Sequence, residues 1–145
     1  MKIVGYSVEE IHAKKAIDIP RASISTDVIF TEIDKAKLDV LKESECLKAS
    51  FKFSVIYKDP NNKDAESKNE LKFSGSLLLS VSKEDAKEFL KSWKAKELPK
   101  DKLIPLYNYI LKRCSVRALQ LEEEMGLQPH IPFPQVRANQ EQNSK

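Results

Sequence analysis

The chain has 145 residues, 41% of them apolar and 32% charged, with a formal net charge of +3. A domain of this size buries roughly 68–70% of its unfolded surface and needs no disulfide or metal to hold it. The balance of 25 basic against 22 acidic residues lacks the concentrated basic face of a nucleic-acid binder, and no run approaches the ~18–20 consecutive apolar residues of a membrane span.

The N-terminal Met1-Lys2-Ile3-Val4-Gly5-Tyr6 lacks a signal peptide's apolar stretch, and Glu9 and Glu10 follow at once, so the cytosol is the expected location. Val4, Tyr6 and Val8 alternate, as do Ile17 and Ile19, which favours extended structure, while Glu9 to Lys15 fits a helical turn equally well. Pro20 closes the segment. Val28-Ile29-Phe30 is a short apolar run, and Lys37 to Lys42 is a candidate for a further strand. The clearest strand is Leu47 to Lys58. Leu47, Ala49, Phe51, Phe53, Val55 and Tyr57 share one face, and Lys48, Ser50, Lys52, Ser54 and Lys58 the other, as in a half-buried antiparallel strand. Asp59-Pro60-Asn61-Asn62 supplies a turn. Leu71 to Ser82 then returns with Leu71, Phe73, Gly75, Leu77, Leu79 and Val81 on one face, completing a long-looped hairpin. Gly75 within a strand implies a bulge or a close backbone approach.

Ser82 is placed as an N-cap, with Ala86, Phe89, Leu90 and Trp93 recurring at helical spacing up to Leu98-Pro99. A longer helix is predicted from Leu103 or Ile104, with Pro105 in its first turn. Its apolar seam runs Leu103, Tyr107, Ile110, Cys114, Ala118, Leu121 and Met125, widened by Leu106 and Leu111, and Gly126 is placed to end it. Gln128-Pro129-His130-Ile131-Pro132-Phe133-Pro134 must be extended, and its apolar residues suit docking. Strands first and helices last is the α+β order: an antiparallel sheet of about four strands packed with a long helix and a shorter one preceding it. Residues 1–136 form one domain in this reading, and the polar 137–145 a disordered tail.

Little in the sequence points to chemistry. The three glycines are far apart, and neither a phosphate-binding loop nor a GxSxG turn occurs. Cys46 and Cys114 belong to no CxxC and read as two buried thiols, and His12 and His130 are too isolated for a His-rich metal site. No metal, cofactor or catalytic residue is therefore expected. A Cys114–His130 pair, and acid–base roles for Asp34, Asp39 or Glu122-Glu123-Glu124, are weaker readings than a buried seam thiol and solvated charge. Two features remain. The hairpin is rich in aromatics, Phe51, Phe53, Tyr57 and Phe73, which serve either as plain core or as a contact surface. The seam of the long helix is broader than one small sheet needs, which suits either burial within the chain or packing between subunits.

Leu103-Ile104-Pro105-Leu106-Tyr107, the helix to Gly126, and Pro129-His130-Ile131-Pro132-Phe133-Pro134-Gln135-Val136 resemble the C-terminal third of SecB, the tetrameric export chaperone that keeps preproteins unfolded. The order strands, long hairpin, connecting segment, long helix is similar too. In this chain the connecting Lys83 to Lys96 is a charged helix where SecB has a small-residue stretch, Tyr107 is displaced by one position, and the acidic surface that SecB offers to the translocation motor is not evident. The resemblance implies a non-enzymatic holdase for unfolded polypeptides, assembled as a homotetramer, a dimer of dimers, without nucleic acid or membrane insertion. It implies a client groove among Phe51, Phe53, Val55, Tyr57, Leu77, Leu79 and Phe133, and a subunit interface near Leu103, Tyr107, Ile110, Cys114, Ala118 and Leu121. The alternative it leaves is an interaction subunit of the same fold, such as an antitoxin-type dedicated partner chaperone.

Overall fold

The structure, a computed structural model, describes residues 1–37, 44–62 and 69–138. Four strands, β1 (Lys2–Lys14), β2 (Ser23–Ala36), β3 (Glu45–Lys58) and β4 (Asn69–Val81), are followed by helices α1 (Lys83–Lys94) and α2 (Lys100–Met125). All pairings are antiparallel, in the order β1-β4-β3-β2. The α+β class and the four-stranded sheet agree with the predicted architecture. The candidate strand at Lys37 to Lys42 lies, beyond Lys37, outside the described residues, as does the tail after Ala138.

β3 and β4 occupy the centre of the sheet, which is why their alternation is so strict. One face carries Leu47, Ala49, Phe51, Phe53, Val55, Tyr57, Leu71, Phe73, Leu77 and Leu79, all essentially inaccessible. Each such aliphatic or aromatic side chain gains roughly 1.5–3 kcal/mol from leaving water. The other face is dominated by lysines and serines, and neither α1 nor α2 lies on it. β1 and β2 are edge strands, and bulges interrupt both. β1 shifts register between Ile3 and Gly5 and again between Val8 and Glu10, and β2 between Phe30 and Glu32. Each extra residue moves the inward set by one position. In β1 the inward residues become Ile3, Tyr6, Val8, Ile11 and Ala13, opposite Leu79, Leu77, Gly75, Phe73 and Leu71. The turn predicted as one alternative for Glu9 to Lys15 is therefore strand as far as Lys14.

The strand order makes β1 and β2 opposite edges, a Greek-key connection. Residues 15–22 cross three strand spacings, roughly 14 Å, over the ends of β4 and β3. Two side chains pin this crossing. Asn69 Oδ1 accepts from the amides of Ala16 (2.8 Å) and Ile17 (3.2 Å), and its Nδ2 donates to the Ile17 carbonyl at 2.7 Å. Gln128, beyond α2, donates to the Pro20 carbonyl at 2.6 Å and accepts from the Ala22 amide at 3.1 Å.

Ser82 caps α1, its hydroxyl accepting from the Asp85 amide at 3.1 Å. α2 starts at Lys100, earlier than predicted, so Pro105 lies in its second turn. The carbonyl that loses its amide partner there belongs to Asp101, which is exposed and so open to solvent. Both helices lie over the apolar face of the sheet. The buried seam of α2 is Leu106, Ile110, Cys114, Ala118, Leu121 and Glu122. It begins at Leu106, not at Leu103 and Tyr107, which are half-buried. Ile110, Cys114, Ala118 and Leu121, expected near a subunit interface, thus pack on the chain's own sheet.

At Gly75 the backbone of β1 lies directly against β4. A Cβ there would lie 2.2 Å from the Ser7 carbonyl oxygen and 2.9 Å from Phe51 Cζ. Because the first contact is backbone, no rotamer change relieves it. Gly75→Ala should cost about 3 kcal/mol or more of stability, read as a lower urea midpoint. A loss under about 0.5 kcal/mol, as for an ordinary surface change, would show that β1 is not held at this point.

Candidate functional site

Two features stand apart from ordinary core. The first is a buried polar chain at the far end of α2. Glu122 is only 1% exposed, and an isolated buried carboxylate costs several kcal/mol. Here it accepts a hydrogen bond from the Tyr57 hydroxyl on β3 and meets His130 Nδ1 at 2.7 Å. The other imidazole nitrogen, Nε2, lies 3.1 Å from Ser115 Oγ, about two helical turns before Glu122 on α2. With Nδ1–H donated to the carboxylate, Nε2 of the neutral ring accepts from the Ser115 hydroxyl. The His130 ring also meets Phe53 edge-on at 6.2 Å. These contacts bring the chain back from α2 onto the sheet. The reversal itself uses Gly126 in the left-handed region (φ 69°), with the Leu127 amide bonded to the Glu122 carbonyl at 2.8 Å.

The atoms of Ser115, His130 and Glu122 follow the order of a nucleophile, base and acid, but the setting does not suit acyl transfer. Ser115 lies inside α2, where the neighbouring amides serve the helix, so no donors face a developing oxyanion. The His130 side chain is 2% exposed, which leaves no room for a reacting group. Sequence reading placed Glu122 to Glu124 in solvent. Glu123 and Glu124 are there, but Glu122 falls on the buried seam. The alternative pairing of Cys114 with His130 is not formed, because the Cys114 thiol faces the Tyr6 hydroxyl at 3.5 Å. Cys46 and Cys114 are both free and buried. Among the described residues no group of three or more His, Cys, Asp or Glu side chains is placed to hold a metal ion, and no helix is long and apolar enough to cross a membrane.

The second feature is a groove of about 770 Å³ where α1 ends and α2 begins, lined by Trp93, Leu98, Leu103 and Tyr107 and rimmed by Lys94, Lys96 and Lys100. The Tyr107 ring packs on Phe30 of β2 at 5.1 Å. α1 ends in a paired-bond turn, Glu97 amide to Ser92 carbonyl (3.0 Å) and Lys96 amide to Trp93 carbonyl (3.1 Å). This turn needs a left-handed residue, and Lys96 supplies it with φ 57°. Lys102 ties the two helices together outside the groove, 3.4 Å from Glu88 and 3.9 Å from Asp85.

The predicted client residues separate sharply. Phe51, Phe53, Val55, Tyr57, Leu77 and Leu79 are each at most 1% exposed: they are core under the helices, because the face that alternation identifies is the face the helices cover. Phe133 is 57% exposed and lies beside a small hollow formed with Leu119, Leu127 and Pro129. Of the predicted interface residues, Leu103 and Tyr107 reach the surface, and they line the groove. Trp93 and Leu98 were not singled out from the sequence as surface candidates; the signal available was an apolar pair on either side of a helix end.

No family model matches this chain, and no curated protein matches it. Among solved structures it is similar to the Mycobacterium tuberculosis Rv1957 SecB-like chaperone, determined in complex with a ChAD peptide from the Rv1956 HigA1 antitoxin. The identity is 13%, the TM-score 0.46, and the match covers 94% of this chain and 91% of that one.

Glu122 and His130 should behave as a coupled pair. His130→Leu alone leaves part of a buried carboxylate unmet and should cost about 3–5 kcal/mol. Glu122→Leu with His130→Leu should cost less than the sum of the two single changes, by at least about 0.5 kcal/mol, in urea denaturation. Additive losses would show that the two side chains do not interact.

Burial, reinforced by the bond to Glu122, pushes the Tyr57 hydroxyl well above its ordinary 10.0. Burial raises the Cys114 and Cys46 thiols above 9.0, although the Tyr6 hydroxyl and Arg113 pull Cys114 partly back. Above pH 9 the unfolded chain therefore releases protons that the folded chain keeps. The contribution of these groups is complete below their unfolded values and is lost as pH rises. Urea midpoints should fall from pH 9 to 11, and Cys114→Ala should flatten that decline. An unchanged slope would remove Cys114 from the account.

Proposed function

We propose that this chain is a SecB-like, non-enzymatic chaperone that holds extended segments of other polypeptides in the groove between α1 and α2. The observation that carries the reading is the groove itself: an open hollow whose apolar lining is the half-buried Trp93, Leu98, Leu103 and Tyr107. Apolar contact accepts many sequences, whereas precise polar contact rejects most, so such a lining suits a holdase. The exposed edges β1 and β2 offer backbone groups that an extended client can pair with. The resemblance in 103–136 supports the same reading, as does the lack of a catalytic arrangement in the buried polar chain. Phe133, exposed on the tail, is a secondary contact.

In this proposal residues 1–136 act as one SecB-like unit in the cytoplasm. It assembles as a dimer of dimers and receives clients that include proteins bound for export. A subunit contact through α2 would use the face turned from the sheet, where Ile104 and Val116 are more than half exposed. The purified chain should suppress aggregation of an unfolded test protein at near-stoichiometric ratio, with a tetrameric mass by light scattering. Leu98→Ser should weaken client binding while costing no more than about 1 kcal/mol of stability, whereas Phe53→Ser should lose about 3–5 kcal/mol. A monomeric mass removes the assembly; failure to suppress aggregation removes the holding function.

A further inference from the structure

We infer that the groove at the end of α1 selects an extended peptide segment that presents an apolar side chain flanked by carboxylates. This rests on the polypeptide-holding reading above. The first observation is the rim: Lys94, Lys96 and Lys100 line one groove, and none of them is in an ion pair among the described residues. The acids on the adjacent surface of α1 are engaged elsewhere, Asp85 and Glu88 drawing Lys102 away from the groove. Glu97 follows Lys96 in sequence but does not line the groove. Three unpaired ammonium groups around an apolar floor repel a basic segment and attract an acidic one.

The second observation is independent of charge. Both helices end in the same paired-bond turn. At the end of α2 the left-handed position holds Gly126 (φ 69°), and at the end of α1 it holds Lys96 (φ 57°). Glycine adopts this conformation without strain, and a lysine does not. Strained residues cluster at binding and switch sites, and Lys96 lines the groove.

Trp93 is the chain's single tryptophan, so its fluorescence reports the groove directly. The test uses the full chain and tryptophan-free peptides with a central leucine flanked by Glu, by Gln or by Lys. The Glu-flanked peptide should shift Trp93 emission and bind about tenfold tighter than the Gln-flanked one, as three modest surface pairs together allow. The Lys-flanked peptide should bind weakest, and the preference should shrink with added salt. Replacing all three lysines, Lys94→Gln, Lys96→Gln and Lys100→Gln, should bring the Glu-flanked peptide down to the level of the Gln-flanked one measured on the same variant. Lys96→Gly should raise the melting temperature and still lose part of the preference.

Equal affinity for the Glu- and Gln-flanked peptides overturns the inference and leaves the holding function intact. So does a Glu-rich peptide that lacks the leucine but binds as tightly, since that is plain charge attraction. Trp93 emission that changes with protein concentration alone would assign the groove to a second copy of this chain. If no peptide moves Trp93 while aggregation is still suppressed, the client surface is elsewhere and the inference falls. Failure of the holding function itself reads out separately, as aggregation that the chain does not suppress.

Discussion

The fold depends on how one carboxylate is accommodated. Glu122 sits on the seam of α2 where an aliphatic residue would pack without conditions, and its burial is tolerable only because β3 and the tail each bring it a partner. Tyr57 comes from the last inward position of the central strand, and His130 from a segment that would otherwise run into solvent. A buried charge of this kind is weak evidence of extra stability, since an apolar replacement often does as well. Its effect is positional. It requires that helix, sheet and tail be in one arrangement together, because any slip leaves a charge unpaired in a dry interior.

That requirement reaches the crossing loop. The reversal at Gly126 places Gln128 where it holds both Pro20 and Ala22, while Lys15 donates to the Gly126 carbonyl at 3.3 Å. Asn69, at the start of β4, secures the same loop from below. The segment that makes the sheet a Greek key is therefore fastened at one end of the molecule by polar side chains from β4 and from beyond α2. At the opposite end, where α1 meets α2, the polar ties among the described residues are the surface contacts of Lys102 with Glu88 and Asp85. Between α1 and α2 the connection is short, its turn is strained at Lys96, and the apolar residues flanking it are left half-covered. The proposed client groove arises from that asymmetry: one end of the helical layer is closed by hydrogen bonds, and the other stays open.

Much of the architecture was legible because it is periodic. The hairpin of β3 and β4 reads directly from its alternation, since both strands are central and one face is buried along its whole length. Ser82, Gly126 and the long helix follow from local chemistry that needs no tertiary information. β1 and β2 were harder to read, because a bulged residue breaks the period of two that identifies a strand. The extent of β2 was hidden by the single shift after Phe30. The same periodicity misdirects a search for a site. Phe51, Phe53, Val55 and Tyr57 stood out by alternating so strictly, and strict alternation marks the face that helices cover.

By itself, then, the sequence determined the hairpin of β3 and β4, the α+β order, the Ser82 cap of α1 and the Gly126 end of α2, all of which show in local periodicity or cap chemistry. Only the tertiary structure decided which apolar residues stay outside. Trp93 and Leu98 look no different in sequence from Phe89 and Leu106. Trp93 and Leu98 both stay half-buried in the groove where α1 ends and α2 begins, a placement that depends on how the two helices pack and not on neighbours in sequence. The pairing of Glu122 with Tyr57 and His130 was decided in the same way, because a glutamate in a run of three reads as solvated until the fold shows which way it faces.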